Sequence, residues 1–412
     1  IHIYKINFEQ LLMPKNLIVI TKLFPYNFTE AFLESETPFL QEKFKNIIFM
    51  PLLKGSIRPN FSSLSVDDSY NTLYVKKAIM FIRTLFSFDL YKSLFFHRRT
   101  LFKKNMLIAC IKQQIHMQII KFIIKNNPSN FTEDTIVYSY WFNAPVYAFL
   151  KLRKKYRMKY RVVCRAHRWD VYDENGDMPY RRYCIEHIDK IFPISQDACD
   201  FLTKKYGYKD KYILSRLGVQ KQNVTTKESP PFNFQVLTVS QLIQRKRVDL
   251  VLSALSEFAS KNKDVNVRWT HFGTGDMEKD LKMKASSINI PNMRTTFMGY
   301  VPNVEIMQFM EESNVDVFIN LSTSEGVPVS IMEAQSYGIP VIATNVGGTG
   351  EIIDKDNGIL LSPCPTLENV VSALEKVYKS DFNRDIIKNH WNKLSNAQIN
   401  FKRFVDILSN IQ

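Results

Sequence analysis

Two glutamates eight residues apart, Glu325 and Glu333, stand in the stretch SEGVPVSIMEAQSYGIPVIATNVGGTGEII, residues 324–353. Paired carboxylates are the machinery of glycoside hydrolysis. A single carboxylate can also accept two hydroxyl hydrogen bonds, as from a sugar or a ribose diol. Spacing separates these uses. If Glu325 were helical, the two would lie about 12 Å apart along the axis and roughly 80° around it. Hydrolase acid and base stand only ~5–9.5 Å apart. The pair therefore fits the two ends of a longer, hydroxyl-rich ligand better than one scissile bond. Taken without its surroundings, it reads as two surface glutamates on a helix.

A diphosphate needs fixed positive charge and free backbone N–H groups. Arg245 and Lys246, at the entry of a helix, can supply the charge. Gly273, Gly275 and the helix N-terminus after Gly326 can supply close backbone approach and a favourable dipole end. Alone, residues 245–247 read as a solvated basic turn, and Gly-Thr-Gly is a weak signal. His167, in RAHRWD after a strand, either lines a ligand crevice or makes a structural hydrogen bond. Ser195 also follows a strand, but without a G-x-S-x-G elbow it reads as a helix cap.

The elements that must position these groups repeat one pattern. Residues 17–21 (LIVIT), 46–50, 136–141, 160–164 and 190–194 read as strands. A loop at 22–29 (KLFPYNFT), punctuated by Pro25 and Asn27, leads to a helical pattern through Phe32, Phe39, Leu40 and Phe44, whose start Pro38 blurs. Helices are also expected at 145–156 and from Ser195 to about Tyr206. Residues 220–233, with Pro230-Pro231, lose all periodicity and read as a linker. Beyond it, 235–239, 265–272, 293–298 and 315–320 read as strands. A helix there shows the apolar face Val248, Val251, Leu252, Leu255 and Phe258. Alternating strands and helices imply an α/β chain of two doubly wound parallel sheets. Basic, Gly-rich and acidic loops converge at the strand ends of the second half, and that convergence marks a ligand crevice.

At 412 residues the chain suits two domains, each with a sizeable core. No apolar run approaches 18 residues without a charge, so no membrane span is expected. The opening IHIYKINFEQLL is too mixed for a secretory h-region, and Met13 is a candidate native start. Cys110, Cys164, Cys184, Cys199 and Cys364 are scattered without C-x-x-C spacing, which argues for a reducing cytoplasm and against zinc or a disulfide framework. Residues 1–220 hold 35 Lys+Arg against 19 Asp+Glu, a charge of +16, whereas 221–412 hold 20 against 21, a charge of −1. The asymmetry points to an anionic partner for the first half, a membrane surface or nucleic acid. In FFHRRTLFKKNMLIACIKQQIHMQIIKFIIK, apolar Leu107, Ile108, Ile111, Ile115, Ile119 and Phe122 keep roughly helical spacing with Lys112, Lys121 and Lys125 between them. That reads either as a basic amphipathic helix on an anionic bilayer or as a core helix with a solvated basic face.

Residues 235–378 resemble the donor-binding domain of retaining glycosyltransferases of family four, which have the GT-B fold. The pieces VSQLIQRKRVDLVLSAL, HFGTGDMEKDL, MGYVPNVEIMQFM, VDVFINLSTSEGVPVSIMEAQSYGIPVIAT and NVGGTGEII stand in that family's order and spacing. The first half resembles bacterial surface-polysaccharide enzymes more loosely, through FPYNFTEAFLESE, YSYWF and CRAHRWDVYDE. The resemblance implies two Rossmann-like domains facing across a cleft: 1–222 on the acceptor side, 223–391 on the donor side, and a last helix, about 392–412, crossing back. It implies that Glu325 contacts donor-sugar hydroxyls, Glu333 the ribose diol and Lys246 the diphosphate. His167 would line the reaction centre, Gly326 and Val327 would offer backbone donors, and the loop of Tyr300 and Val301 would hold the base. Two departures stand out: Ser240-Gln241 replaces a Gly-Arg pair, leaving Arg245 to supply charge, and Asn27-Phe28 stands near the place of a glycine pair in the first loop.

The implied reaction moves a sugar, with retention of configuration, from a nucleotide-sugar (a UDP-sugar by family frequency) to a hydroxyl of a glycan or lipid-linked acceptor. No cofactor or metal is expected, since no Asp-x-Asp cluster has a matching context. The expected location is cytoplasmic, with peripheral attachment to the inner face of the cell membrane. A nicotinamide-dependent oxidoreductase should carry G-x-G-x-x-G after its first strand, and neither half does. A non-catalytic basic protein binding membrane or nucleic acid would account for the first half alone, and no nucleic-acid module is recognisable there.

Overall fold

The computed structural model describes residues 16–27, 30–88, 90, 91, 95, 104–172 and 180–411. The opening dodecapeptide, Met13, Phe28, much of FFHRRTLFKKN and the end of CRAHRWDVYDE lie outside the described residues. Two compact units form: residues 1–194, 198–215 and 401–412 in one, and 195–197 with 216–400 in the other. The chain passes between them at 215/216, ahead of the linker read from sequence.

The first unit carries a five-stranded parallel sheet: β1 (Asn16–Thr21), β2 (Asn46–Pro51), β3 (Thr135–Ser139), β4 (Arg161–Ala166) and β5 (Lys190–Pro193), in the order β2-β1-β3-β4-β5. Its strands are apolar on both faces, as a sheet covered by helices on both sides requires. The order reverses between β1 and β3, so the loops leaving those strands border the switch point where such sheets bind ligands.

A buried ion pair ties this unit together. Arg165 on β4 donates to Glu36 at 2.7 Å and to the Tyr138 hydroxyl at 3.0 Å, while Tyr138 donates to Glu36 at 2.9 Å. Arg165 also reaches the Ser215 carbonyl, and the Phe404 ring lies 4.2 Å from its guanidinium carbon. Both charges are fully buried, so this network is required to satisfy them.

The helix Lys104–Asn126 differs from expectation in which side it buries. Met117, Ile119, Ile120, Ile123 and Ile124 are buried, Ile111 and Ile115 are half-buried, and Leu107, Ile108 and Phe122 are exposed. Isoleucines around most of the circumference leave sequence periodicity unable to choose a face.

The second unit carries β6 (Asn233–Val239), β7 (Asn266–Phe272), β8 (Met293–Gly299), β9 (Val317–Asn320), β10 (Val341–Thr344) and β11 (Gly358–Leu361), all parallel, in the order β11-β10-β9-β6-β7-β8. This is the dinucleotide-binding order, with its switch point between β6 and β9. The helix Val248–Lys261 buries Val248, Val251, Leu252, Leu255 and Phe258, the face its sequence proposes.

Candidate functional site

The loops leaving β6 and β9 meet at that switch point. After β6 the chain makes a single turn at Gln244–Lys246, and Arg247, in the left-handed region at φ 49°, redirects it into the next helix. After β9 it runs irregularly from 321 to the helix Val329–Ser336. Glu325 is therefore on a loop and Glu333 on a helix, so the helical separation reckoned above does not apply.

Lys246 Nζ lies 2.5 Å from Glu325 Oε1, with both side chains largely buried. Arg245 donates from Nη1 to the Ser324 carbonyl at 2.8 Å, and the Thr323 N–H donates back to the Arg245 carbonyl at 2.9 Å. The two loops are thus laced into one surface with its charges adjacent. Arg247 turns elsewhere and donates to the Pro363 carbonyl.

Close backbone approach supports this surface. Gly347, at φ 53°, sits where a Cβ would come 2.0 Å from the Glu325 carbonyl oxygen. Gly348 N–H donates to the Gly326 carbonyl at 2.7 Å, and Val327 is buried beside it. Gly273, at φ 134°, would bring a Cβ to 1.9 Å from the Ser240 carbonyl, and Gly275 would bring one to 2.4 Å from that of Leu242. Under this loop Trp269 donates to the Thr238 hydroxyl at 2.9 Å, which lies 2.7 Å from His271 Nδ1. Burial pushes His271 down to about 4, keeping it neutral.

Glu333 is buried, and Asn303 Nδ2 donates to its Oε1 at 2.8 Å. Burial raises its pKa from 4.5 to about 7, against the opposing pull of that bond. Tyr300 projects into solvent, 74% exposed, and Val301 beside it is half-buried.

His167 belongs to the first unit. It stands ahead of the short helix Arg168–Val171, its N–H donating to Asp170 at 3.2 Å, and its ring lies 4.6 Å from Trp141 and 4.9 Å from Tyr140. Burial, aided by Arg165, pushes it down to about 3, so the imidazole is neutral at any physiological pH. Its Nε2 has no hydrogen-bond partner among the described residues.

Asn303, Gly347 and Gly348 had no assigned role in the sequence reading. Asn303 stands thirty positions from Glu333, and no local spacing announces it; the glycines stood in a quoted motif, but only the structure reveals what they touch.

Two Rossmann-like, doubly wound parallel-sheet domains are the GT-B fold class, and solved structures agree. Residues 221–393 match the family model described as "Glycosyl transferases group 1". The chain is similar over 206 residues, at 24% identity, to the putative colanic acid biosynthesis glycosyltransferase WcaL of Escherichia coli K12, covering 48% of this chain and 49% of that protein. It is similar at 24% over 160 residues to the amylovoran biosynthesis glycosyltransferase AmsK of Erwinia amylovora, covering 37% and 39%. The chain thus spans about half the length of WcaL and less of AmsK. Among solved structures, the apo lipopolysaccharide outer core galactosyltransferase WaaB superposes with a TM-score of 0.72 at 16% identity, over 95% of this chain and 99% of that one. HepE of Anabaena in complex with UDP gives 0.65 at 14%, over 96% and 99%. At such identities the likeness is one of fold.

Proposed function

We propose that this chain is a retaining glycosyltransferase of family four, moving a sugar from a UDP-sugar to a hydroxyl of a glycan or lipid-linked acceptor in surface-polysaccharide synthesis. The observation that carries the reading is the Lys246–Glu325 pair, which joins the loops leaving β6 and β9 at their switch point. The pairing of Asn303 with Glu333, which lies on the helix that follows the second loop, supports it. Glu333 takes the ribose diol, Glu325 the sugar hydroxyls, and Lys246 with Arg245 the diphosphate. Gly326 and Val327 add backbone donors, Gly273 and Gly275 admit the phosphates, and Tyr300 and Val301 border the base. His167 lines the acceptor side, where a neutral imidazole with an unpartnered Nε2 can exchange a hydrogen bond with a substrate hydroxyl.

In the proposed step the bond from the anomeric carbon to the diphosphate oxygen breaks as the acceptor oxygen bonds to the same face of that carbon. The acceptor proton goes to the departing diphosphate. The protein positions both substrates and stabilises the charge that grows on the leaving group. Lys246 and Arg245 do so without a metal or cofactor.

The setting proposed is the inner face of the cell membrane. Among the described residues no helix is long and apolar enough to cross a membrane. The first unit instead exposes Ile79, Ile82, Phe86 (86%) and Phe88 (79%) in the same stretch of chain as the exposed Lys76 and Arg83, which suits an anionic bilayer. Nucleic acid is not the proposed partner.

The test is a panel of nucleotide-sugars scored by thermal stabilisation and by donor hydrolysis, with EDTA present and absent. A UDP-sugar is expected to stabilise the protein and be turned over equally in both. Stabilisation by none would overturn the reading. Vesicles with anionic lipid should retain the wild type and lose the Phe86→Ser, Phe88→Ser double variant.

A further inference from the structure

The loop that leaves β1 at the first unit's switch point ends in an unusual arrangement. The Glu30 carboxylate accepts from three successive backbone N–H groups: Lys22 at 2.9 Å, Leu23 at 2.7 Å and Phe24 at 2.8 Å. It accepts a fourth bond from Trp141 Nε1 at 2.5 Å, from the loop that follows β3. Each oxygen takes two bonds, which fills the four acceptor positions of a carboxylate. Glu30 itself sits in the left-handed region, φ 58° and ψ 44°, a conformation a residue with a Cβ avoids unless its surroundings hold it there.

Consecutive N–H groups aimed at one point form an anion-binding concavity, and the ends of strands beside a switch point are where α/β sheets place one. Here the concavity is already full. The same carboxylate bridges the loops after β1 and β3, the two that border the reversal of strand order. Trp141, held by it, presents its ring to His167 at 4.6 Å.

We propose that Glu30 is a positioning residue for the acceptor side. Its carboxylate serves as an internal anion that fills the amide nest at 22–24 and fixes Trp141 against His167, so this loop receives no substrate phosphate. The proposal rests on the reading that His167 lines the acceptor site. The residue acts through Trp141 and the backbone, not on substrate.

The experiment uses Glu30→Ala in the full chain, with sodium formate against sodium chloride at matched ionic strength. Formate fits the vacated nest. It is expected to raise the melting temperature of Glu30→Ala and restore its tryptophan emission, and to leave the wild type unmoved. In transfer assays the variant should show an acceptor KM raised about tenfold, as loss of a charge-assisted hydrogen bond implies. Donor KM should be unchanged, and formate should reverse the defect. A variant indifferent to formate in both melting and emission overturns the proposal. If Glu30→Ala does not fold, Trp141→Phe removes one donor and leaves the nest filled; an unchanged acceptor KM there overturns it as well. If no transfer is found with any nucleotide-sugar, the functional reading fails, while the formate response still reports on the nest by itself.

Discussion

Nucleotide binding should expel a proton from Glu333. The native protein holds this carboxyl's proton up to about 7, against 4.5 ordinarily, because burial penalises its charge more than Asn303 stabilises it. At about 1.36 kcal/mol per pH unit, the native state prefers the protonated form over the unfolded chain by about 3 kcal/mol. The sign follows from proton counting. Between 4.5 and about 7 the native state binds more protons than the unfolded chain, so stability falls as pH rises through that window. The full loss is present above about 7. A ribose diol donating two hydrogen bonds favours the ionised carboxylate instead. At about pH 6, where roughly nine-tenths of Glu333 is protonated, binding should release close to one proton, and affinity should rise about tenfold towards pH 8. Calorimetry with UDP at that lower pH, in two buffers of different ionisation enthalpy, reads the release directly. Glu333→Gln keeps a neutral group in place and shares the titration of UDP itself, so the difference between the proteins isolates this carboxyl. Equal proton release by the two would refute the reasoning.

Three further outcomes are expected. Lys246→Ala and Glu325→Ala should each lower sugar transfer by at least about 100-fold. Each strands a partly buried partner charge, so melting should fall by the equivalent of about 1–3 kcal/mol; wild-type-like turnover in either would sink the assignment. Gly347→Ala forces a Cβ onto the Glu325 carbonyl at a left-handed φ, so urea denaturation should show a loss of at least about 1–3 kcal/mol with weakened UDP binding. Unchanged binding would mean the 324–328 loop can move aside freely. Arg165→Met leaves Glu36 buried without its partner and should cost about 3–5 kcal/mol in chemical denaturation, whereas joint replacement with Glu36→Leu should recover much of it.

Most strands were legible because sheets covered on both faces demand largely apolar runs, and runs such as LIVIT and VFIN supply them. The face of Val248–Lys261 was legible because polar residues interrupt its apolar stripe. Lys104–Asn126 lacks that contrast, and its buried side emerges only from what packs on it. In the candidate site, the two glutamates and the Arg-Lys pair stood in the sequence, yet their spacing alone could not fix the geometry between Glu325 on its loop and Glu333 on its helix. Asn303 and the Glu30–Trp141 bond, which joins residues 111 apart, are products of topology, and no window of sequence contains them.

The last helix bears on the order in which the chain can be completed. The first unit includes residues 401–412, and Phe404 covers the guanidinium of Arg165, whose other partners all lie at or before Ser215. A chain emerging from the ribosome makes the whole second unit before it makes that phenylalanine. The first unit therefore waits through 185 residues of synthesis, from Arg216 to Asn400, with one side of its buried ion pair open to water. During that interval its sheet is the vulnerable one to proteases and to wrong association, and the unit made second is the first that can close.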